Sequence, residues 1–385
     1  MKILKFAPAF SRLSQTFIYG LACGLCDELS DGFRVLTLER ENADLRPFDN
    51  VDVLHEVTAE PPGGSVSLLE RIFGDADKKR NTIRFTEYFD EQKPDLVHAH
   101  FGPAADLLID ACDEVGVPLI VSLRGYDASR LVEERKWQKA YADIFPRCRA
   151  IVLITDEMRG RIEPLAGGVP LTTIHAGKNV ADYPYKAPGG PVRRFLSIGR
   201  LVEKKGHGDA IRAISKARQN GADVSLRIIG EGDEREALQS LIDTENIGDA
   251  VQLVGRLSHD EVKSELRRAD GFILACRTAE NGDKEGVPNV LKEAQLMGLP
   301  VVSTRHAGIP DVIAEQNHRW LAAEGDVEGL AERVVELSEL DDSALQKMAK
   351  IAREHVEEHF SRAREVSEHL ELYSKILGSS EEPAP

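Results

Sequence analysis

The sequence predicts an α/β protein of two domains, each built around a mostly parallel, doubly wound sheet. Short apolar segments alternate with amphipathic segments along the chain, as in consecutive strand–helix–strand units. This alternation stops once, at a segment rich in proline and glycine, and then restarts. The chain has 385 residues, which is long for one ordinary core and suits two domains of under about 200 residues each.

The first predicted domain covers residues 1–182. Apolar runs bounded by turn residues indicate its strands, and the amphipathic stretches between them indicate its helices. We expect strands at 3–6, 34–38, 96–99, 119–123 and 150–154, and helices at 14–29, 66–89 and 104–115.

Residues 183–191 contain three prolines and two glycines, and this composition predicts a linker. A second domain is expected at 192–360. A helix at 361–377 is expected to pack back on the first domain, and the polar residues 378–385 are expected to be disordered. In the second domain we expect strands at 194–198, 225–229, 251–254, 271–275 and 300–303, and helices at 207–220, 260–269 and 290–297.

Composition and charge exclude several classes of protein. The net charge of −16 argues against nucleic acid as a partner and against strong docking to anionic lipid. No apolar run reaches the ~20 residues of a membrane-spanning helix, and the first residues resemble a strand more than a signal peptide. We therefore expect a cytoplasmic protein, at most peripheral at the inner face of the membrane.

The five cysteines predict neither a disulfide framework nor a metal site. Their number is odd, and Cys23 and Cys26 form a single CxxC within a predicted helix. We interpret both as small apolar side chains, and we expect no metal and no cofactor.

A glycine turn with two cations follows the first strand of the second domain. In SIGRLVEKKG, residues 197–206, Gly199 allows the turn, and Arg200 and Lys205 precede a predicted helix. Two cations beside a helix N-terminus can hold a dianionic diphosphate. An exposed basic loop is the alternative interpretation.

A second glycine turn, Gly230-Glu231-Gly232, follows the next strand and would let a ligand approach the backbone. Arg235 stands where a dinucleotide fingerprint has its third glycine, so NAD binding is poorly supported. A plain left-handed turn explains the pattern equally well.

Two carboxylates with seven residues between them give the strongest signal. In EGVPNVLKE, Gly286 and Pro288 indicate a loop, Asn289 is expected to cap the next helix, and Glu293 falls one turn into it. Glu285 and Glu293 can then bind sugar hydroxyls and a ribose diol, while loop N–H groups face phosphates. Two ordinary surface glutamates are the alternative.

These motifs together resemble those of family 4 glycosyltransferases of the GT-B fold. EGVPNVLKEAQLMGLPVVSTRHAGIPDVI, at 285–313, resembles the family signature, and 197–206 resembles its diphosphate loop. Residues 227–232 and 252–263 resemble its nucleotide-base loops. The resemblance implies two Rossmann-like domains facing across a cleft and retention of anomeric configuration. It implies catalytic roles for Arg200, Lys205 and Glu285, and donor binding by Gly199, Gly230, Glu231, Arg256, Leu257, Gly286, Val287, Pro288, Asn289 and Glu293.

The first half resembles bacterial exopolysaccharide glycosyltransferases of the colanic acid and amylovoran type. The resemblance lies in SRLSQTFI at 11–18, HAHFG at 98–102 and GYD at 125–127. Arg124 replaces the family histidine that generally contacts the transferred sugar, so Arg124 bears on sugar identity. We expect His98 and His100 on opposite strand faces, with His100 facing the site. The implied acceptor or sugar side comprises Ser14, Thr16, His100, Arg124 and Asp127.

The implied activity is transfer of a hexose-type sugar from a nucleoside-diphosphate sugar. The acceptor would be a saccharide, a lipid-linked or a small molecule, in polysaccharide or glycoconjugate biosynthesis. Two alternatives stay open: a nucleotide-sugar epimerase of the same fold, which would act without acceptor, and a non-catalytic nucleotide-sugar-binding partner. The EGVPNVLKE segment argues against the epimerase, whereas Arg124 keeps the non-catalytic partner open.

Overall fold

The computed structural model describes residues 1–12, 15–54 and 75–378, without the side chains of 75–77. Contacts divide the chain into two compact units, the first Met1–Gly177 with Arg362–Pro385 and the second Lys178–Ser361. Each unit contains one parallel sheet with helices, so the predicted α/β class is confirmed. The predicted domain limits, the linker and the disordered tail stay predictions; residues 379–385 lie outside the described part.

The strands and helices alternate in chain order. The strands are β1 (Ile3–Phe10), β2 (Phe33–Arg40), β3 (Val51–Val53), β4 (Leu96–His100), β5 (Leu119–Ser122), β6 (Ala150–Leu153), β7 (Leu171–Thr173), β8 (Arg194–Ile198), β9 (Ser225–Ile229), β10 (Val251–Gly255), β11 (Gly271–Leu274), β12 (Val301–Thr304) and β13 (Leu321–Ala322). The α-helices are α1 (Thr16–Leu29), α2 (Asp75–Gln92), α3 (Gly102–Val115), α4 (Arg135–Ile144), α5 (Arg159–Ile162), α6 (His207–Gln219), α7 (Arg235–Thr244), α8 (His259–Arg268), α9 (Asn289–Leu296), α10 (Ile309–Val312), α11 (Val327–Ser338), α12 (Asp342–His359) and α13 (Arg362–Gly378).

Both sheets have the doubly wound strand order. The first runs β3-β2-β1-β4-β5-β6-β7 and the second β10-β9-β8-β11-β12-β13. β3, β7 and β13 were not predicted, because two or three residues are too short to show an alternating pattern. The predicted helix at 66–89 falls partly on residues outside the described part, which resumes with α2.

Apolar side chains cover both faces of each sheet, because successive strand residues point to opposite sides. On β1, Phe6 joins the core on one face, and the next residue, Ala7, joins the core on the other. On β8, Phe195 and Leu196 likewise join the cores on opposite faces of the sheet. Burial on both faces explains why these strands are nearly continuous apolar runs.

Helix α13 packs on α1 within the first unit. A Cβ added at Gly20 would lie 2.4 Å from Arg362 Nη2, and one at Gly24 would lie 2.6 Å from Val366 Cγ2. The two glycines therefore let the helices approach closely. In the described part of the chain, no helix is long and apolar enough to cross a bilayer.

The fold determines where ligand-binding loops lie. Ligands of doubly wound sheets bind at the carboxyl ends of the strands, where the strand order reverses. In the second sheet this point lies between β8 and β11. The loops that follow these strands contain Arg200, Lys205 and Glu285.

Candidate functional site

The loops after β8 and β9 pack backbone against backbone. The Gly199 N–H donates to the Ile229 carbonyl (3.0 Å), and the Leu201 N–H donates to the Glu231 carbonyl (2.9 Å). Gly230 has φ 150°, and a Cβ there would lie 1.8 Å from the Gly199 oxygen. Glycine is therefore required at 230 by both conformation and space.

The loop after β8 also closes on the end of β11. Gly206 has φ 64°, and a Cβ at this residue would lie 1.7 Å from the Ala275 oxygen. This close approach places Lys205 beside the loop that follows β11. Lys205 Nζ lies 2.7 Å from Glu285 Oε2, and the two side chains are only 12% and 20% exposed. The structure thus brings together two of the three predicted catalytic residues.

The charges of this pair stabilise each other. Burial tends to raise the pKa of Glu285, but Lys205, Lys204 and Arg200 outweigh burial and hold the pKa below its ordinary value. Burial tends to lower the pKa of Lys205, but Glu285 outweighs it, so the lysine pKa is raised. Both groups are therefore charged at neutral pH. Arg200, the third predicted catalytic residue, is exposed beside them.

The start of α9 differs from the prediction. Pro288 occupies the N-cap position and Asn289 is the first helical residue, so the expected Asn289 cap is wrong. The Asn289 side chain instead accepts a hydrogen bond from Lys292 Nζ (3.1 Å). Pro288 has no side-chain acceptor to cap this helix, and the Leu291 N–H donates to the Pro288 carbonyl (3.1 Å). The N–H groups of Asn289 and Val290 are therefore the ones that an anion at this helix start would meet.

Glu293 lies one turn into α9 and is buried. Its Oε1 accepts a hydrogen bond from Lys178 Nζ (2.5 Å), and both side chains are almost inaccessible. The sequence did not predict Lys178, since its partner is 115 residues away and no local pattern links the two.

The other predicted donor-binding residues lie on neighbouring loops of the second unit. The Gly230 N–H donates to the Gly255 carbonyl (3.0 Å), which joins the β9 loop to the end of β10. Arg256 is exposed there, and Leu257 is half-buried. Gly286 is buried and Val287 half-buried between Glu285 and Pro288. Glu231 is exposed and pairs with Arg235 at 3.1 Å.

In the first unit, His100, Arg124 and Asp127 come together at the ends of β4 and β5. Arg124 Nη2 lies 3.5 Å from His100 Nδ1. The Asp127 carboxylate accepts hydrogen bonds from the N–H of Arg124 (2.8 Å) and of Gly102 (3.1 Å), so it holds two loops. Thr16 is the half-buried first residue of α1, and Ser14 lies outside the described residues.

The prediction that His98 and His100 point to opposite faces is wrong. Their rings stack with centroids 5.6 Å apart at 21°, because residues two apart on a strand share a face. His98 is structural: it bonds Tyr373 Oη and Ser122 Oγ, both at 2.7 Å. Among the described residues, His100 Nε2 has no hydrogen-bond partner.

The first unit also buries a group of basic side chains around His100. Lys5 Nζ, Arg124 Nε and His369 Nε2 are buried and lack hydrogen-bond partners within the described part of the chain. Burial, followed by the charge of Arg124, lowers the pKa of Lys5 well below its ordinary value. The sequence did not predict this cluster, since Lys5 and His369 belong to distant segments.

Comparison with known proteins identifies the family. The family model for glycosyl transferases group 1 matches residues 187–355. The amylovoran biosynthesis glycosyltransferase AmsK of Erwinia amylovora is 35% identical over 291 residues, 72% of this chain and 70% of that protein. WcaL of Escherichia coli K12, assigned as a colanic acid biosynthesis glycosyltransferase, is 34% identical over 279 residues, which are 70% of this chain and 68% of WcaL. This chain belongs to that glycosyltransferase family.

Solved structures show the same fold. Anabaena HepE, solved in complex with UDP, superposes on this glycosyltransferase with a TM-score of 0.75 at 17% identity, covering 97% of this chain and 100% of HepE. Sucrose-phosphate synthase of Thermosynechococcus elongatus superposes with a TM-score of 0.77 at 15% identity, covering 98% of this chain and 100% of that protein. The predicted GT-B class and the resemblance to exopolysaccharide glycosyltransferases are both confirmed.

Several residues at the site of this glycosyltransferase were not predicted. His306 accepts the Glu285 N–H, Glu324 pairs with His306, and Lys204 bonds Asp283 at 3.0 Å. His306 lies inside the 285–313 segment, where its place after a strand was an available signal. No group of three or more metal-ligating side chains occurs in the described ranges.

Proposed function

We propose that this glycosyltransferase moves a hexose-type sugar from a nucleoside diphosphate to a saccharide, lipid-linked or small-molecule acceptor. In this proposal the reaction retains anomeric configuration, needs no metal and serves exopolysaccharide biosynthesis. The observation that carries the proposal is the Lys205–Glu285 ion pair beside the uncapped start of α9. AmsK and WcaL, named for amylovoran and colanic acid biosynthesis, support the pathway class.

The proposed chemistry is electrostatic. As the sugar–phosphate bond breaks, negative charge develops on the leaving diphosphate and positive charge on the anomeric carbon. Arg200, Lys205 and the N-terminus of α9 would stabilise the diphosphate. Glu285 is ionised, so it would favour the oxocarbenium-like state and would not act as a general acid at neutral pH. Lys205 would then bridge Glu285 and the diphosphate.

The acceptor would attack from the leaving-group face, and the departing phosphate would take its proton. This path needs no protein nucleophile. Glu293 would bind the donor ribose, with Lys178 orienting its carboxylate. The remaining donor contacts would come from the loops that contain Gly199, Gly230 with Glu231, Arg256 with Leu257, and Gly286 to Asn289.

We assign the acceptor or sugar side to the first unit. Ser14, Thr16, His100 and Arg124 would contact the sugars, and Arg124 suits a hydroxyl, an acidic sugar or a phosphate. Asp127 would position Arg124, because both of its oxygens already bind backbone N–H groups. The proposal includes a cytoplasmic protein, at most peripheral at the membrane, which cell fractionation would test.

A thermal-shift screen of nucleoside diphosphates and their sugars tests donor binding first, because a ligand of the native state raises stability by RT ln(1 + [L]/Kd). We expect the nucleoside diphosphate of one particular base, and its sugars, to stabilise the protein. NMR of the glycoside product then tests stereochemistry, with retention expected. An inverted product would reject the mechanism, and donor binding without turnover over a broad acceptor panel would favour a non-catalytic partner.

A further inference from the structure

A chain of hydrogen bonds in the second unit links three strand ends to the backbone of Glu285. The Glu285 N–H donates to His306 Nε2 (3.0 Å). His306 Nδ1 lies 2.7 Å from Glu324 Oε1, and Glu324 Oε2 accepts the Thr278 N–H (2.8 Å). Thr278, His306 and Glu324 follow β11, β12 and β13, which are adjacent in the sheet. The chain therefore runs along one edge of the sheet to the candidate site.

The direction of these bonds determines the state of the His306 ring. A backbone N–H can only donate, so Nε2 must be an unprotonated acceptor. Nδ1 then has the hydrogen and donates it to Glu324. Burial tends to raise the pKa of Glu324, but the Thr278 N–H and His306 outweigh burial and hold it below its ordinary value. The ring therefore faces a charged acceptor at Nδ1, which favours the tautomer with its hydrogen on that nitrogen.

The same segment holds the Glu285 loop at a second point. The Gly308 N–H donates to the Gly286 carbonyl (3.2 Å), and the His306 carbonyl accepts the Ile309 N–H (2.9 Å) at the start of α10. The ring of His306 is fully buried, so it has little room to turn. Two successive residues of the loop are thus fixed to a rigid neighbour.

We propose that His306, held in one tautomer by Glu324, is a positioning residue that fixes the backbone of Glu285 and so aims its carboxylate at the transferred sugar. The inference rests on the proposed role of Glu285. His306 acts through Glu285, whose carboxylate also contacts Lys205. A small displacement of a reacting group costs up to about 10²-fold in rate, so we expect loss of His306 to lower mainly kcat.

The test is a double-mutant cycle of His306→Phe and Glu285→Gln. The assay is release of nucleoside diphosphate from the donor that most stabilises the wild type, with UDP-glucose as the first probe. We expect His306→Phe to lower kcat about 10- to 100-fold with little change in donor KM. The double variant should fall no further than the worse single variant, because both changes act on one carboxylate.

His318→Phe is the matched control. His318 Nε2 bonds the carbonyls of Pro310 (3.0 Å) and Ile313 (2.9 Å), so this change removes two partly buried histidine hydrogen bonds that do not involve Glu285. It should lower the melting temperature and leave kcat unchanged. If His306→Phe fails to fold, Glu324→Gln takes its place, because a neutral amide is a weaker partner for His306 Nδ1–H and the Thr278 N–H.

Wild-type kcat in His306→Phe, or strictly additive losses in the cycle, would overturn the inference. Wild-type kcat in Glu285→Gln would instead reject the proposed function of Glu285, and a loss in His306→Phe would then contradict action through that residue. The ¹⁵N signals of the His306 ring give an independent readout. We expect hydrogen on Nδ1 and none on Nε2, and the opposite tautomer would also overturn the inference.

Discussion

The two units bury basic side chains in different ways. In the second unit three buried or nearly buried lysines of the site have carboxylate partners, in the pairs Lys178–Glu293, Lys204–Asp283 and Lys205–Glu285. In the first unit, Lys5 Nζ, Arg124 Nε and His100 Nε2 lack hydrogen-bond partners among the described residues. These three pairs therefore balance their charges, whereas Lys5 and Arg124 of the first unit have buried donor atoms without partners among the described residues.

This contrast separates two consequences of burial. A paired lysine stays charged and is available to a dianionic ligand, as the raised pKa of Lys205 indicates. An unpaired buried lysine loses its charge more readily and destabilises the fold, as the lowered pKa of Lys5 indicates. Substitutions should therefore affect chiefly catalysis in the second unit and chiefly stability at Lys5.

The largest expected effect is in the second unit. Lys205→Ala and Arg200→Ala should each weaken donor binding and lower turnover, because each change removes a charge-assisted contact to the diphosphate worth roughly 1.5–3 kcal/mol. At Lys205 the loss should reach about 10²-fold in kcat. Saturation kinetics and calorimetry with the donor measure both effects.

Lys216→Ala is the matched control for these two changes. Lys216 is on α6 of the same unit and pairs with Glu328 at an exposed position. Its removal should leave donor affinity and kcat unchanged, because exposed pairs contribute little. Wild-type donor affinity in Lys205→Ala or Arg200→Ala would count against the assignment.

A smaller effect is expected in the first unit. Lys5→Met should raise the free energy of unfolding at neutral pH by about 1–3 kcal/mol, since it removes a buried polar group without a partner. The folded-state pKa of Lys5 lies below its unfolded value of 10.5, so the unfolded chain binds more protons between these values. The free energy of unfolding of the wild type therefore rises with pH in this window. In Lys5→Met it should rise less steeply with pH.

Urea denaturation between pH 6.5 and 10 measures the slope for wild type and for Lys5→Met. Lys78→Met is the comparison variant, because Lys78 is partly exposed and pairs with Asp106 at 2.8 Å. It should not reduce the pH slope. Equal slopes for the wild type and Lys5→Met would show that Lys5 is not the source of the pH dependence of stability.

The fold was largely predictable from sequence, because both sheets are buried on two faces and their strands are nearly continuous apolar runs. The predicted limits of β8 and β9 match the structure. In the site, Lys205 and Glu285 were predicted because glycine turns and a helix start mark them locally. Lys178, His306 and Glu324 were missed, since their roles depend on contacts between distant segments.

The smallest expected effect is that of chelation. Turnover should persist in EDTA, because Arg200, Lys205 and the start of α9 are proposed to stabilise the diphosphate without a metal. The assay compares kcat before and after EDTA, and then after added magnesium or manganese. Loss of turnover that either metal restores would contradict the charge balance proposed for the second unit.

Saturation kinetics of Glu285→Gln and Glu293→Gln test the central claim most directly. Both substitutions keep side-chain shape and remove charge. Glu285 faces the developing positive charge in our account, so its loss should lower kcat more than it raises donor KM. Glu293 binds a ribose that is the same in substrate and transition state, so its loss should raise donor KM more than it lowers kcat. Identical defects would contradict the two roles, and wild-type kinetics in both variants would reject the site.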